Sequence, residues 1–138
     1  MTTLPELDGT DWAGTAELWL DPLGDEVVRS DCAVQLGADG LRYTWSHDGE
    51  KHRGAITAAP GASSFTDSFH SPQPMACRDV ADAWGLLQIQ AEYGEASDWR
   101  WRIGVSYRTP TEQLVVQMTN VAPWGEEARA VRMVCNRT

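Results

Sequence analysis

The sequence predicts an all-β protein: a single antiparallel, up-and-down β-barrel of about nine to ten strands spanning residues 1–138. Three observations predict it. Residues 99–108 read Trp-Arg-Trp-Arg-Ile-Gly-Val-Ser-Tyr-Arg, with an apolar or aromatic residue at every odd position and Arg, Gly or Ser at every even one. A period of two marks a strand with one dry and one wet face. Turn signals then recur roughly every ten residues, as in short-stranded sandwiches and barrels. No long helical pattern separates successive strands, so consecutive hairpins are expected, and a sheet of that size escapes edge exposure by closing on itself.

Strands are expected over residues 12–20, 27–36, 41–48, 51–58, 64–70, 86–93, 99–108, 113–121 and 129–136. Their registers can be read from the turns. Asp48-Gly49 is a strong two-residue hairpin signal. It pairs Trp45 with His52, Tyr43 with Gly54 and Leu41 with Ile56. A loop over 37–40 pairs Leu36 with Leu41 and Val34 with Tyr43, which keeps the apolar face apolar over three strands. A loop over 109–112 pairs Tyr107 with Leu114 and Trp101 with Asn120, and a loop over 94–98 pairs Tyr93 with Trp99. On the outer face that last register sets Glu92 against Arg100 and Gln90 against Arg102, so both arginines are expected at the surface. Residues 71–84, with Pro72 and Pro74, are too long for a tight turn. They are expected to be a break with a helical turn at 78–83, available as a lid.

Composition bounds the function. A chain of 138 residues with 42% hydrophobic content can build one real core. Seven tryptophans point to large aromatic surfaces, in a core or in a pocket. A net charge of −9 argues against a nucleic-acid partner, which needs a basic surface. No apolar run is long enough for a membrane helix, and the first residues lack the basic and apolar regions of a signal peptide. Cys32, Cys77 and Cys135 are odd in number and widely spaced, so neither a disulfide framework nor a metal pattern is expected. A cytoplasmic protein without a cofactor is the expectation, with dimerisation left open.

The predicted inner wall carries Tyr43, Trp45, Tyr93, Trp99, Trp101 and Tyr107, which are either packed core or the wall of a pocket for a flat or apolar molecule. His47, Glu50 and His52 share one face around a hairpin tip. Two imidazoles and a carboxylate are metal-ligand types, but without a third firm ligand a polar rim is the better reading. If the next loop is even in length, Phe65, Asp67 and Phe69 point inward and Asp67 lies near His52, where a buried carboxylate must be paired or shift its pKa upward. An odd loop turns His70 inward instead. Alternation places Asp67, Ser68 and His70 on different faces, against a triad within that segment.

The opening Leu7-Asp8-Gly9-Thr10-Asp11-Trp12-Ala13-Gly14 resembles the first strand of calycin-type barrels, in which a Gly and a Trp stand close together. Here the spacing Gly9-x-x-Trp12 is one residue longer than the usual one. Asp48-Gly49-Glu50 and Thr66-Asp67-Ser68-Phe69-His70, in this strand order, resemble bacterial lipocalin-like domains of unknown function. The resemblance implies a barrel with an internal pocket, and an Arg of the last strand (Arg129 or Arg132) over the Trp12 ring. Nitrobindin-like haem proteins, a calycin branch, hold haem through a His near the C-terminal strands. This chain has no His after His70, so haem is not expected.

These readings favour binding of a small hydrophobic or aromatic molecule, with Tyr43, Trp45, Phe69, Tyr93, Trp99 and Trp101 as wall and His47, His52 and Asp67 as polar contacts. The alternatives are a barrel enzyme of cyclase, isomerase or decarboxylase type, with Asp67 and His52 as acid–base pair, and an interaction module with a filled barrel and an apolar patch at Trp19 and Trp124.

Overall fold

A computed structural model of the chain describes residues 2–21, 24–80 and 85–138. A short 3-10 turn, Pro5–Leu7, precedes ten strands: β1 (Asp11–Trp19), β2 (Val27–Gly37), β3 (Gly40–His47), β4 (Glu50–Thr57), β5 (Ser63–Asp67), β6 (Ser71–Asp79), β7 (Leu87–Tyr93), β8 (Trp99–Arg108), β9 (Gln113–Val121) and β10 (Glu127–Arg137). Each strand pairs antiparallel with its neighbours in sequence, and β1 pairs with β10, so the sheet is a closed barrel. Closure leaves no edge strand for another chain to pair with.

The turn chemistry sets the register as the sequence predicts. Asp48 and Gly49 both have positive φ, at 49° and 77°, which the two-residue hairpin turn requires. Trp45 faces His52, Tyr43 faces Gly54 and Leu41 faces Ile56. Tyr93 faces Trp99, and Trp101 faces Asn120. Outside, the cross-strand rows Glu92/Arg100 and Gln90/Arg102 form as read, but the ion pairs run to other strands. Arg78 reaches Glu92 at 3.2 Å and Arg102 reaches Glu127 at 2.6 Å.

One expectation fails at residues 71–84. Instead of a break and lid, β6 runs from Ser71 to Asp79. Arg78 and Asp79, expected to begin a helical turn, are in strand; residues 81–83 of that expected turn lie outside the described residues. Proline is tolerated at a strand edge because its missing N–H is not needed there. Pro72 and Pro74 meet that condition, because β6 pairs with β7 only over Cys77–Asp79. A register irregularity between Phe65 and Asp67 also bends the β5–β6 ladder.

The barrel has two unlike ends. At one, hereafter the lower, the 3-10 turn folds in and buries Leu4 and Leu7. Trp12 lies there, its indole N–H donating to Thr10 Oγ1 at 2.9 Å and its ring edge-on to Tyr107. Among the described residues, no arginine stacks on it. The Arg-over-Trp contact that the calycin resemblance implies forms elsewhere, with the Arg129 guanidinium 4.5 Å above the Trp19 ring. Arg132 instead lies 4.0 Å from Glu17. The upper end carries the turns at 48–49, 68–70, 94–98 and 122–126. Between the ends the core is filled: Val34, Phe65, Ile89, Ile103, Leu114 and Met133 present no surface to water.

Gly14 marks a tight point of the wall. A Cβ there would lie 2.0 Å from the Val134 carbonyl oxygen, which belongs to the backbone and has no room to retreat. With no side chain on β1, Cys32 of β2 and Cys135 of β10 meet across it, their sulfurs 3.6 Å apart. The shared hydrogen bond and burial push the Cys32 thiol far up, so it stays protonated. Gly14→Ala is expected to lower stability by about 2–3 kcal/mol through overpacking, read as a reduced midpoint in urea denaturation at unchanged slope.

Candidate functional site

The site grows from the turn between β5 and β6. Three residues, 68–70, connect the strands, and within such a turn the two-face alternation of a strand no longer applies. Asp67 therefore points inward at the end of β5, and His70 turns inward as well. The Asp67 side chain is wholly buried and that of His70 nearly so. Asp67 Oδ1 accepts the backbone N–H groups of Phe69 (2.7 Å) and His70 (2.9 Å), as Asp side chains do when they organise turns. Its Oδ2 accepts the Tyr43 hydroxyl at 2.5 Å and the Trp45 indole N–H at 3.2 Å.

Gly54 makes the Tyr43 contact possible. Tyr43 crosses directly over it, and a Cβ at this position would lie 2.2 Å from Tyr43 Cζ. The Arg53-Gly54-Ala55 sequence thus leaves a slot through which the phenol reaches the carboxylate.

Burial alone would push the Asp67 carboxyl up. The hydrogen bonds from Tyr43 and from the His70 backbone, with the His70 imidazole alongside, overcome it and hold Asp67 well below the usual carboxylate range. Tyr43 moves the opposite way, well above its ordinary value, because of burial, the Asp67 charge and the hydrogen bond it donates.

The imidazole beside Asp67 is His70, with Nδ1 3.4 Å from Oδ1, outside hydrogen-bond geometry. The expected Asp67–His52 pair is not formed. His52 Nδ1 lies 3.1 Å from Ser68 Oγ, and its Nε2 is 3.9 Å from the exposed Glu50. Ser68, His52, Asp67 and His70 therefore form two separate pairs and no triad. His47 Nε2 turns toward Asp48 at 3.5 Å. Among the described residues, no three His, Cys, Asp or Glu side chains converge on a metal-sized site.

Above Asp67 the rings form one cluster. Trp45 stacks on His52 with centroids 4.5 Å apart. Phe69 sets its ring edge-on to Trp45, His47, His52 and His70 at 5.0–6.3 Å, yet is 42% exposed. On the far side His70 lies 5.2 Å from Trp101, which stacks on Phe65. Four ring nitrogens in this cluster, His47 Nδ1, both nitrogens of His70 and Trp101 Nε1, are buried and have no hydrogen-bond partner.

Of the expected wall residues, Tyr43, Trp45 and Trp101 are buried and Phe69 is open. Tyr93 and Trp99 are half-buried on the neighbouring rim. Tyr93 donates to Asn120 Oδ1, and burial raises its phenol pKa. Trp99 meets Trp124, which is 71% exposed. Trp19 is buried, so the expected Trp19/Trp124 surface patch does not form. His70 is the site residue that the sequence reading left as an alternative; an Asp three residues before a His, at the end of a short strand, is the signal for it.

Several grooves lie on the outer wall. One, of about 710 Å³, runs over Gln88, Ser106 and Gln117. Another, of about 810 Å³, is lined by Arg42, Lys51 and Arg53 and reaches Tyr43 and Ser68. No protein-family model matches the chain, and no curated protein matches it.

Asp67 gives a signed pH dependence. Its folded-state pKa is depressed, so its contribution to stability is present above the unfolded value near pH 4 and is lost as pH falls below it. Thermal melts of the wild type are expected to drop steeply below pH 4. Asp67→Asn is expected to cost about 3 kcal/mol at neutral pH, by leaving buried donors without their charged partner, and to flatten that acid limb.

Proposed function

We propose that this chain binds a flat, largely apolar small molecule at the upper end of its barrel. The observation that carries this reading is Phe69, an exposed aromatic lying edge-on against Trp45, His47, His52 and His70. Exposed apolar surface beside a few fixed polar groups is the composition of a ligand site. The filled middle of the barrel supports placing the ligand at the rim rather than deep inside. Tyr93 and Trp99 extend the aromatic surface along that rim. Kinship with the bacterial lipocalin-like domains of the calycin type is part of the proposal, supported by the closed ten-stranded barrel.

The test is an NMR titration of the full chain with N-phenyl-1-naphthylamine, a neutral apolar probe. The indole signals of Trp45 and Trp101 and the imidazole signals of His52 and His70 are expected to shift and saturate, while the Trp12 indole at the lower end stays in place. No saturable shift, or an equal shift of Trp12, overturns the reading.

One observation favours a second reading, a proton-transfer enzyme acting on a small carbonyl compound. Asp67 is saturated with donors, so it suits a positioning role, and the neighbouring His70 is the group left to move a proton. His70→Gln is expected to abolish turnover and spare binding under this reading.

A further inference from the structure

We propose that the ligand of the upper end carries a neutral hydroxyl group, a phenol or enol, held between His70 and Trp101. This inference rests on the small-molecule reading above and adds the polar group by which the ligand is selected. Trp101 is more than nine-tenths buried, and its Nε1–H has no acceptor. His70 Nε2, on the adjacent ring 5.2 Å away, has no partner either. Most buried polar side-chain atoms in folded proteins are hydrogen-bonded, so two neighbouring unpaired ring nitrogens call for a reason.

Asp67 defines what these atoms ask for. The ionised carboxylate beside His70 Nδ1 favours the tautomer with its proton on Nδ1, which leaves a lone pair on Nε2. Trp101 Nε1 is a donor only. The pair thus presents one acceptor and one donor. A hydroxyl, which both donates and accepts, satisfies both. A carboxylate would satisfy only Trp101 and would bring a second negative charge toward buried Asp67. An ammonium would satisfy only His70 and leave the indole unpaired. An ether or a plain hydrocarbon supplies no donor for His70.

Access is through Phe69. Both nitrogens are shut off from water, and Phe69 stands on the three-residue turn directly over His70. Its ring meets its neighbours edge-on and is already partly in solvent, so it can rotate outward. An incoming aromatic ring then takes over its contacts with Trp45, His52 and His70.

The test compares three ligands of one shape on the full-length chain by titration calorimetry: 2-naphthol, 2-methoxynaphthalene and 2-naphthoate. 2-Naphthol is expected to bind roughly 10–100-fold more tightly than the ether, the range of an unmade buried hydrogen bond, and more tightly than the carboxylate. In Trp101→Phe, which keeps a ring and removes the N–H, the preference for naphthol over the ether is expected to fall severalfold. Equal binding of naphthol and ether, or tighter binding of naphthoate, overturns the hydroxyl inference and leaves the small-molecule reading standing. An undiminished naphthol preference in Trp101→Phe also overturns it. Binding of none of the three overturns both.

Discussion

A carboxylate fully removed from water is stable as an ion only if its oxygens are met by donors from every side, and Asp67 meets that condition. Four hydrogen bonds reach it from two parts of the chain: Tyr43 and Trp45 on β3, and the turn that carries Phe69 and His70. Each of those groups is positioned by the carboxylate in return. Without the charge, the phenol and indole would be buried donors lacking an acceptor, and the 68–70 turn would lose the side chain that shapes it. The upper end of the barrel is therefore organised around one ion, and the ring cluster above it inherits its geometry from that ion.

The absence of bulk matters as much. Gly54 lets a tyrosine cross the β4 backbone to reach the carboxylate, and Gly14 lets two sulfurs meet across β1. Large side chains then fill the middle of the barrel, where Val34, Phe65, Ile89, Ile103 and Met133 are fully buried. A barrel of this kind is a rigid pedestal. Its lower end is stopped by Leu4 and Leu7, its middle is solid, and its chemistry collects at the upper rim, where three histidines and most of the described tryptophans gather.

Most of the architecture was legible in the chain because the turns are explicit. Asp48-Gly49 admits one hairpin register, and from it the inward placement of Tyr43, Trp45 and His52 follows without further information. The reading ran out where local rules compete. Pro72 and Pro74 argue against a strand, and only the shortness of the β6–β7 pairing explains why β6 exists there. Strict alternation separates Asp67 from His70, but it holds only while the chain stays extended, and three turn residues undo it. The Asp67–His52 pairing failed for the same reason. The arginine expected over Trp12 stacks instead on Trp19, because β10 brings Arg129 to the opposite end of β1. Nothing in local patterning reports which of two tryptophans on one strand a distant arginine will cover.

The short β6–β7 ladder has a consequence for how the wall breathes. A closed cylinder stays closed only while all its seams hold, and this seam is tied over three residue pairs, Cys77 to Ala91, Arg78 to Gln90 and Asp79 to Ile89, where the β8–β9 seam is tied over nine. Local opening concentrates where the fewest backbone bonds must break. Slow amide exchange should thus divide the ring unevenly, with β8, β9, β10 and β1 behaving as one protected arc. The β6–β7 join is its hinge line, and parting there would turn the cylinder into a curled sheet with the rest of its pairing intact.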